Sequence, residues 1–433
     1  MVLQRLLMKQ ALPGFRDLYP NSCAIRNYLF QNFRQATSSF GFEEFDGPLL
    51  EPLDLFVEKS GEEIVSQLFS FSDRGGRAVA LRPELTPTLA RMVAARAATL
   101  KRPIRWCNVG EHFRYERPQK GRLRSFWQMN ADLLGGSDVA SDAEIITLLV
   151  SVFRQVGLGA DDFVVRISDR QIWMDFFGKF GLPVEQMPAA LGIIDKFERD
   201  DSQESKKKLE ELCPNLATEL FAAINDLRQC RTLEDIKNVS GKQNLCRMAD
   251  WEKFLQLLND LQVTPFIQID LSIVRGLAYY TGFVFEAFER SGQSRALAGG
   301  GRYDDLLEKL HKVSMPACGF AIGDVTLGLL LQEKQLIPQY NGAPRLFVIF
   351  SDETQKVALP LCQNLRNRGI SLCYDFDRKL SFSKQLREAN RSKAAFALFI
   401  GTDEVASGKF TLKDLSSGDA QILADHELFA ALS

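Results

Sequence analysis

This sequence of 433 residues has few histidines and no closely spaced pair of cysteines. It contains three histidines, and its eight cysteines include no Cys-x-x-Cys pair, so no structural metal site is predicted. Cysteines spread through so long a chain favour buried, reduced thiols in a cytosolic protein over a disulfide framework. Nothing in the sequence matches a P-loop or a dinucleotide-binding fingerprint, and we predict no organic cofactor.

Long apolar runs and an excess of either charge are also missing. The apolar stretch at the start is interrupted by Arg5 and Lys9 and is too short for a secretory core or a bilayer span. We therefore predict no signal peptide, no transmembrane helix and a cytoplasmic location. Lys and Arg total 53 against 55 for Asp and Glu, so RNA binding would need a local basic patch.

The pattern of apolar residues divides the chain into regions with different predicted secondary structure. Short apolar alternations before residue 171 and again after 263 predict one antiparallel sheet assembled from both halves of an α+β fold. Residues 172–262 are mostly helical in pattern. After a linker near 335–344 that carries two prolines and a glycine, residues 345–433 alternate strand and helix, which is typical of a small α/β domain.

The segment 113–135, FRYERPQKGRLRSFWQMNADLLG, predicts two strands around a basic loop. The first strand ends near Arg114 and Glu116. Alternation places four side chains of the second strand on one face: Phe126, Gln128, Asn130 and Asp132. A flat aromatic ring beside an arginine suits a nucleoside triphosphate, and the loop charges suit either its phosphates or RNA. From composition alone, the alternative is a solvated basic hairpin.

This hairpin resembles motif 2 of the class II aminoacyl-tRNA synthetases, in the form found in histidine-tRNA ligases. Other segments resemble that family in the expected order: GPLLEP around Pro48, LRPELT (81–86), VRGLAYYTGFVFE (274–286), GGGRYDDL (299–306) and the whole of 345–433. The resemblance implies a class II catalytic domain at 1–171 and 263–335, with an antiparallel sheet flanked by helices. It further implies a helical insertion domain at 172–262, an anticodon-binding α/β domain at 345–433 and a homodimer.

The resemblance also implies a role for each matching residue in ligating L-histidine to histidine tRNA, with MgATP as the other substrate. Arg114 and Arg275 are expected to grip the α-phosphate and to be catalytic. ATP would also be held by Glu116, Arg122 and Phe126. The histidine-binding residues would be Glu84, Thr86, Gln128, Asp132, Tyr279 and Tyr280. The acceptor end of the tRNA would meet Arg117, Gln119, Lys120 and Arg124.

Several of these positions can also be interpreted as purely structural, and two others depart from the family pattern. Glu84 alone suggests a surface carboxylate, and the glycines of 299–301 a turn or a close approach of backbone to the active site. In the family, an arginine of motif 3 binds the phosphate tail of ATP. Thr326 stands at the position of that arginine, so the phosphate contact is missing or supplied elsewhere. Ala278 stands where an aspartate is common.

The main alternative function is that of a non-catalytic paralogue, the histidine-sensing regulatory subunit of ATP phosphoribosyltransferase. That subunit resembles the same catalytic core but usually lacks the C-terminal domain. The apparent anticodon domain and the basic loop therefore favour the ligase.

Overall fold

The computed structural model describes residues 11–57, 65–197, 202–239, 247–275, 279–291, 295–340, 342–377 and 380–432. The chain divides into two compact units, one ending at Pro338 and the other beginning at Gln339. Each unit has its own apolar core.

The first unit is built on a mixed sheet to which both halves of its sequence contribute. Its strands are β1 (Glu43–Glu44), β2 (Leu50–Pro52), β3 (Phe69–Ser72), β4 (Ala78–Leu81), β5 (Ile104–Phe113), β6 (Ser125–Leu134), β7 (Phe163–Asp169), β8 (Ile267–Ile269), β9 (Phe283–Glu289), β10 (Ala298–Arg302) and β11 (Ala317–Gly323). Eight of them form the central sheet in the order β1-β5-β6-β11-β10-β9-β7-β8. The pairings from β5 to β7 are antiparallel and the two edge pairings are parallel, which confirms the predicted α+β fold.

Strand β10 is an element for which the sequence analysis predicted a turn or a close backbone approach. The run Gly299–Gly301 pairs with β9 on one side and β11 on the other. A Cβ added to Gly300 would lie 2.2 Å from the carbonyl oxygen of Gly319 on β11, a distance that no real side chain tolerates. The run is therefore a strand, and at Gly300 and Gly301 only glycine lets the two neighbouring strands pack this closely.

Helices cover the sheet and occupy the region between β7 and β8. They are α1 (Pro20–Ser39), α2 (Asp54–Val57), α3 (Thr86–Ala94), α4 (Val139–Gln155), α5 (Arg170–Lys179), α6 (Met187–Ile194), α7 (Ser202–Leu212), α8 (Ala217–Gln229), α9 (Leu233–Val239), α10 (Met248–Asp260), α11 (Leu306–His311) and α12 (Asp324–Glu333). Trp173 of α5, Leu220 of α8 and Trp251 of α10 belong to the same apolar core as the sheet. None of the helices in the described ranges is long and apolar enough to cross a membrane.

The second unit alternates strands and helices, as its sequence pattern predicts. Its elements are β12 (Leu346–Phe350), α13 (Gln355–Asn367), β13 (Leu372–Cys373), α14 (Phe382–Arg391), β14 (Phe396–Ile400), α15 (Thr402–Ser407), β15 (Lys409–Asp414), β16 (Ala420–Ala424) and α16 (Asp425–Leu432). The strands form one sheet in the order β13-β12-β14-β15-β16. All five residues of β12 are buried, because helices cover both faces of a parallel strand pair.

A buried ion pair connects the sheet to α4, and its loss should destabilise the first unit. Arg302 Nη2 of β10 lies 2.6 Å from Asp142 Oδ2 of α4, and the two side chains are 3% and 2% exposed. Asp142→Ala removes the buried counterion and leaves Arg302 only the more exposed carboxylate of Asp304, at 3.0 Å, so we expect the free energy of unfolding to fall by about 3–5 kcal/mol. Urea unfolding followed by tryptophan fluorescence measures this, because all four tryptophans lie in the first unit.

The matched control for this prediction is an exposed ion pair. Lys253 Nζ lies 2.5 Å from Asp138 Oδ2, with both side chains more than half exposed. Lys253→Ala should change the free energy of unfolding by less than about 1 kcal/mol. Equal losses in the two variants would contradict the role given to the buried pair.

Candidate active site

The hairpin of β5 and β6 positions Arg114 against Phe126. The main-chain nitrogen of Arg114 donates to the carbonyl oxygen of Arg124 at 3.0 Å, which closes the hairpin. The Nε of Arg114 donates to the carbonyl oxygen of Pro83 at 3.0 Å. Its guanidinium carbon lies 5.5 Å from the centre of the Phe126 ring. These contacts hold a guanidinium and an aromatic ring side by side at the end of the strand.

A cavity of about 680 Å³ lies beside this pair, and we call it the larger cavity. Arg114, Glu116, Arg122 and Phe126, the four residues predicted to bind ATP, all line it. The Arg122 guanidinium forms an ion pair with the buried carboxylate of Glu116. The tertiary structure therefore brings the four predicted residues together around one space, and Phe288 adds a second aromatic ring to its lining.

A second cavity, of about 50 Å³, adjoins the first and is called here the smaller cavity. It is lined by all six residues predicted to bind histidine: Glu84, Thr86, Gln128, Asp132, Tyr279 and Tyr280. Glu84 is 5% exposed, so the interpretation of this residue as a surface carboxylate is wrong. Arg114, Gln128 and Arg275 line both cavities. The two predicted sets of residues therefore meet at these three side chains.

The smaller cavity is polar, and its carboxyl groups are held by tyrosines. Tyr303 Oη donates to Asp132 Oδ1 at 2.5 Å, and Tyr279 Oη donates to Glu84 Oε2 at 2.9 Å. Burial raises the pKa of Asp132 to about 7, and the Tyr303 bond partly opposes the shift while the Glu84 charge adds to it. The side-chain nitrogen of Asn130 is buried and has no hydrogen-bond partner among the described residues. A small polar ligand with several donors and acceptors suits this lining.

Arg275 occupies a strained backbone position at the junction of the cavities. Its φ angle is +57°, in the left-handed region that non-glycine residues rarely adopt. Its Nη1 lies 2.9 Å from Glu286 Oε1 on β9, and its guanidinium carbon lies 5.6 Å from the centre of the Tyr280 ring. A Cβ added to Gly299 would lie 1.4 Å from Nη1, so glycine is required there for Arg275 to lie across β10. Ala278, which follows in the same signature, lies outside the described residues.

The loop residues predicted to meet tRNA line neither cavity. Arg117, Gln119 and Lys120 are exposed. Arg124 is half-buried, with its Nε donating to the carbonyl oxygen of Glu116 at 3.0 Å and its guanidinium carbon 4.1 Å from the centre of the Tyr115 ring. Three of the four side chains therefore face solvent, and Arg124 makes contacts within the hairpin.

Comparison with known families settles which fold family this site belongs to. The family model for histidyl-tRNA synthetase matches residues 14–326, and the model for an anticodon binding domain matches residues 341–433. The chain belongs to the histidyl-tRNA synthetase family. Both compact units of the chain thus have a counterpart among known domains.

Relatives of this histidyl-tRNA synthetase family member match it over almost its full length. A histidine-tRNA ligase from Opitutus terrae is 45% identical over 94% of each chain. A chloroplastic and mitochondrial histidine-tRNA ligase from Arabidopsis thaliana is 36% identical over 94% of this chain and 83% of its own. The crystal structure of histidyl-tRNA synthetase from Nostoc superposes with a TM-score of 0.80 at 25% identity and covers 98% of this chain and 99% of that one. The resemblance inferred from the sequence is confirmed.

In this family member the sequence analysis did not single out several residues that contact the site residues. Tyr303 holds Asp132, Glu286 pairs with Arg275, and Arg16 lies 2.7 Å from Asp324, whose carboxylate also accepts from the main-chain nitrogen of Trp127. Glu286 lies in the segment 274–286 and Tyr303 in the segment 299–306, both of which resemble the family, so these two segments were the available signal. Arg16 had no such signal, because its partner is 308 residues away in sequence.

Proposed function

We propose that this chain activates L-histidine with MgATP to histidyl-adenylate and then transfers the histidyl group to the 3′ end of histidine tRNA. The observation that carries the proposal is the junction of the two cavities. The residue set expected for histidine and the set expected for ATP line adjoining spaces that share Arg114, Gln128 and Arg275.

In the first step the histidine carboxylate attacks the α-phosphorus. A new carboxyl oxygen–phosphorus bond forms, and the bond to the β-phosphate oxygen breaks to release pyrophosphate. Arg114 and Arg275 lie where the two substrates meet, so their guanidinium groups would stabilise the negative charge that develops on the α-phosphate. Glu84 and Asp132 would receive the ammonium and imidazole groups. Catalysis is then mainly positioning and electrostatics.

In the second step a hydroxyl at the 3′ end of the tRNA attacks the carbonyl carbon of the adenylate, and AMP leaves. No three His, Cys, Asp or Glu side chains in the described part of the chain are grouped as a metal site. Magnesium therefore enters this proposal as part of the MgATP substrate, held by phosphate oxygens and water.

Histidine-dependent ATP–pyrophosphate exchange and tRNA charging by the purified protein test this function, and failure of both would refute it. The alternative is the regulatory subunit of an ATP phosphoribosyltransferase, and a stable complex with that enzyme would support it. The match to an anticodon binding domain over 341–433 favours the ligase.

The exposed loop residues should matter for tRNA and not for adenylate formation. Lys120→Ala is expected to raise the KM for tRNA several-fold, by roughly the contribution of one phosphate contact, and to reduce the salt dependence of tRNA binding. Charging assays at two salt concentrations measure both effects. Because Lys120 lines neither cavity, pyrophosphate exchange should be unchanged; a matching loss of exchange would place Lys120 in the ATP site instead.

We also propose that the protein is a cytoplasmic homodimer. The segment GPLLEP around Pro48 resembles motif 1, the dimer-forming element of the family, and it contains β2, which lies in a three-stranded sheet with β4 and β3. Leu49, Leu50 and Phe71 on and beside this sheet are exposed, and apolar side chains grouped in this way suit a subunit interface. Light scattering should give the mass of two chains, and Leu50→Asp should shift the mass toward one. A wild-type protein of single-chain mass would contradict the dimer.

A further inference from the structure

One wall of the larger cavity contains a helix that supplies no cation. Helix α12 has the sequence DVTLGLLLQE, and its first residues, including Thr326, line the cavity. Asp324 at its start is paired with Arg16. The three phosphates of ATP need several positive partners, and this helix offers only its N-terminus and the Thr326 hydroxyl.

Arg295 lies at the same part of the cavity wall as Thr326. A Cβ added to Gly121, at the turn of the basic loop, would lie 3.3 Å from Thr326 Cγ2 and 3.7 Å from Arg295 Cδ. Both side chains therefore border the same turn, next to Arg122. The residues from Arg295 to Gly299 all line the cavity, so this segment runs along the wall from the loop to the strand that borders Arg275.

The arginines that line the larger cavity divide into two pairs: Arg114 and Arg275 also line the smaller cavity, and Arg122 and Arg295 do not. Three of the lining carboxylates have an arginine partner: Glu116 with Arg122, Glu286 with Arg275 and Asp324 with Arg16. Arg114 and Arg275 also line the smaller cavity, which marks the end where histidine and the α-phosphate meet. Arg295 lines only the larger cavity, so it lies in the part of that cavity away from the residues predicted to bind histidine.

We propose that Arg295 binds the β- and γ-phosphates of ATP, at the place where Thr326 offers no cation. A guanidinium suits this role because its planar array of donors matches two phosphate oxygens at once. The inference rests on the proposed ATP-dependent function of the cavity. It assigns the residue to substrate positioning during adenylate formation.

Calorimetric titration of Arg295→Ala with MgATP and with AMP tests this role. We expect the affinity for MgATP to fall by roughly 10- to 100-fold, as for loss of a charge-assisted hydrogen bond, and the affinity for AMP to stay within about threefold. In pyrophosphate exchange the KM for ATP should rise by a similar factor. Arg290→Ala is the matched control, because Arg290 lies five residues earlier, does not line the cavity and donates to the carbonyl oxygens of Ala160 and Pro265.

A second variant tests whether a cation at position 326 can bind the same phosphates as Arg295. Thr326→Arg in the Arg295→Ala background should recover a large part of the MgATP affinity, because both side chains border the turn at Gly121. Lack of recovery would overturn the shared position.

The binding measurements also separate this inference from the proposed function. Equal weakening of MgATP and AMP binding in Arg295→Ala, or no change in either, would overturn the assignment to the β- and γ-phosphates. Wild-type protein that binds MgATP but shows no histidine-dependent exchange would refute the proposed function. The difference between MgATP and AMP would still decide the role of Arg295.

Discussion

Replacing Arg275 by alanine is expected to lower the rate of histidine-dependent ATP–pyrophosphate exchange by about 100- to 1,000-fold. The guanidinium lies where the two cavities meet, so its loss removes a fixed positive charge from the place where negative charge develops. Arg275 and Glu286 are both partly exposed toward the larger cavity, so water replaces the lost partner. We therefore expect the free energy of unfolding to change by about 1 kcal/mol or less.

Exchange kinetics and urea unfolding of the same preparation measure these two effects together. Arg77→Ala serves as the control, because Arg77 forms an exposed ion pair with Asp73 and lines neither cavity. An unchanged exchange rate in Arg275→Ala would refute the catalytic role of that residue.

Gly299→Ala should lower the pyrophosphate exchange rate as Arg275→Ala does, because it displaces the Arg275 side chain. A Cβ at this position would overlap Arg275 Nη1, which is the end of a flexible side chain and can move, so the fold should survive. The exchange rate should fall toward that of Arg275→Ala, and the double variant should show no further loss. Losses that multiply in the double variant would show that Gly299 acts independently of Arg275. Gly300→Ala is the contrasting change, because its Cβ would meet backbone and should destabilise the fold.

Replacing Asp132 by asparagine is expected to weaken histidine binding by about 100-fold, since a buried carboxylate that faces a cationic ligand contributes a strong charge-assisted bond. Titration calorimetry measures this directly. Tyr303→Phe should keep the carboxylate and lose much less affinity. It should also raise the pKa of Asp132, because the Tyr303 hydroxyl lowers that pKa.

The same residue should make the stability of the ligand-free protein depend on pH. Burial raises the pKa of Asp132 from 3.8 to about 7, so between these values the folded state holds a proton that the unfolded state has lost. Its contribution to the free energy of unfolding therefore falls as pH rises from about 4 to about 7, by at most roughly 4 kcal/mol at about 1.4 kcal/mol per unit. Asp132→Asn removes this contribution.

Urea unfolding of the wild type and of Asp132→Asn, at several pH values across this range, gives the difference. The variant should gain stability relative to the wild type as pH rises. A constant difference at all pH values, together with unchanged histidine affinity, would contradict the role given to Asp132.

The sequence by itself determined most residues of the candidate site, because they occur in short contiguous segments. Alternation along β6 predicted that Phe126, Gln128 and Asp132 share a face, and all three line the cavities. Arg114, Arg275 and the tyrosines came from ordered signatures that resemble one family. The α+β class and the helical and strand regions followed from apolar periodicity, which depends only on near neighbours in sequence.

Only the tertiary structure decided how these segments meet. The sequence pattern at Gly299–Gly301 predicted either a turn or a close backbone approach, and the structure has the second, in a strand whose neighbours leave no room for a Cβ at Gly300 or Gly301. The pairings of Arg16 with Asp324 and of Arg302 with Asp142 join residues more than 150 positions apart. The position of Arg295 beside Thr326 likewise requires β10 and α12 to meet the loop between β5 and β6. Such contacts arise from the order of strands in the sheet, which local sequence patterns do not encode.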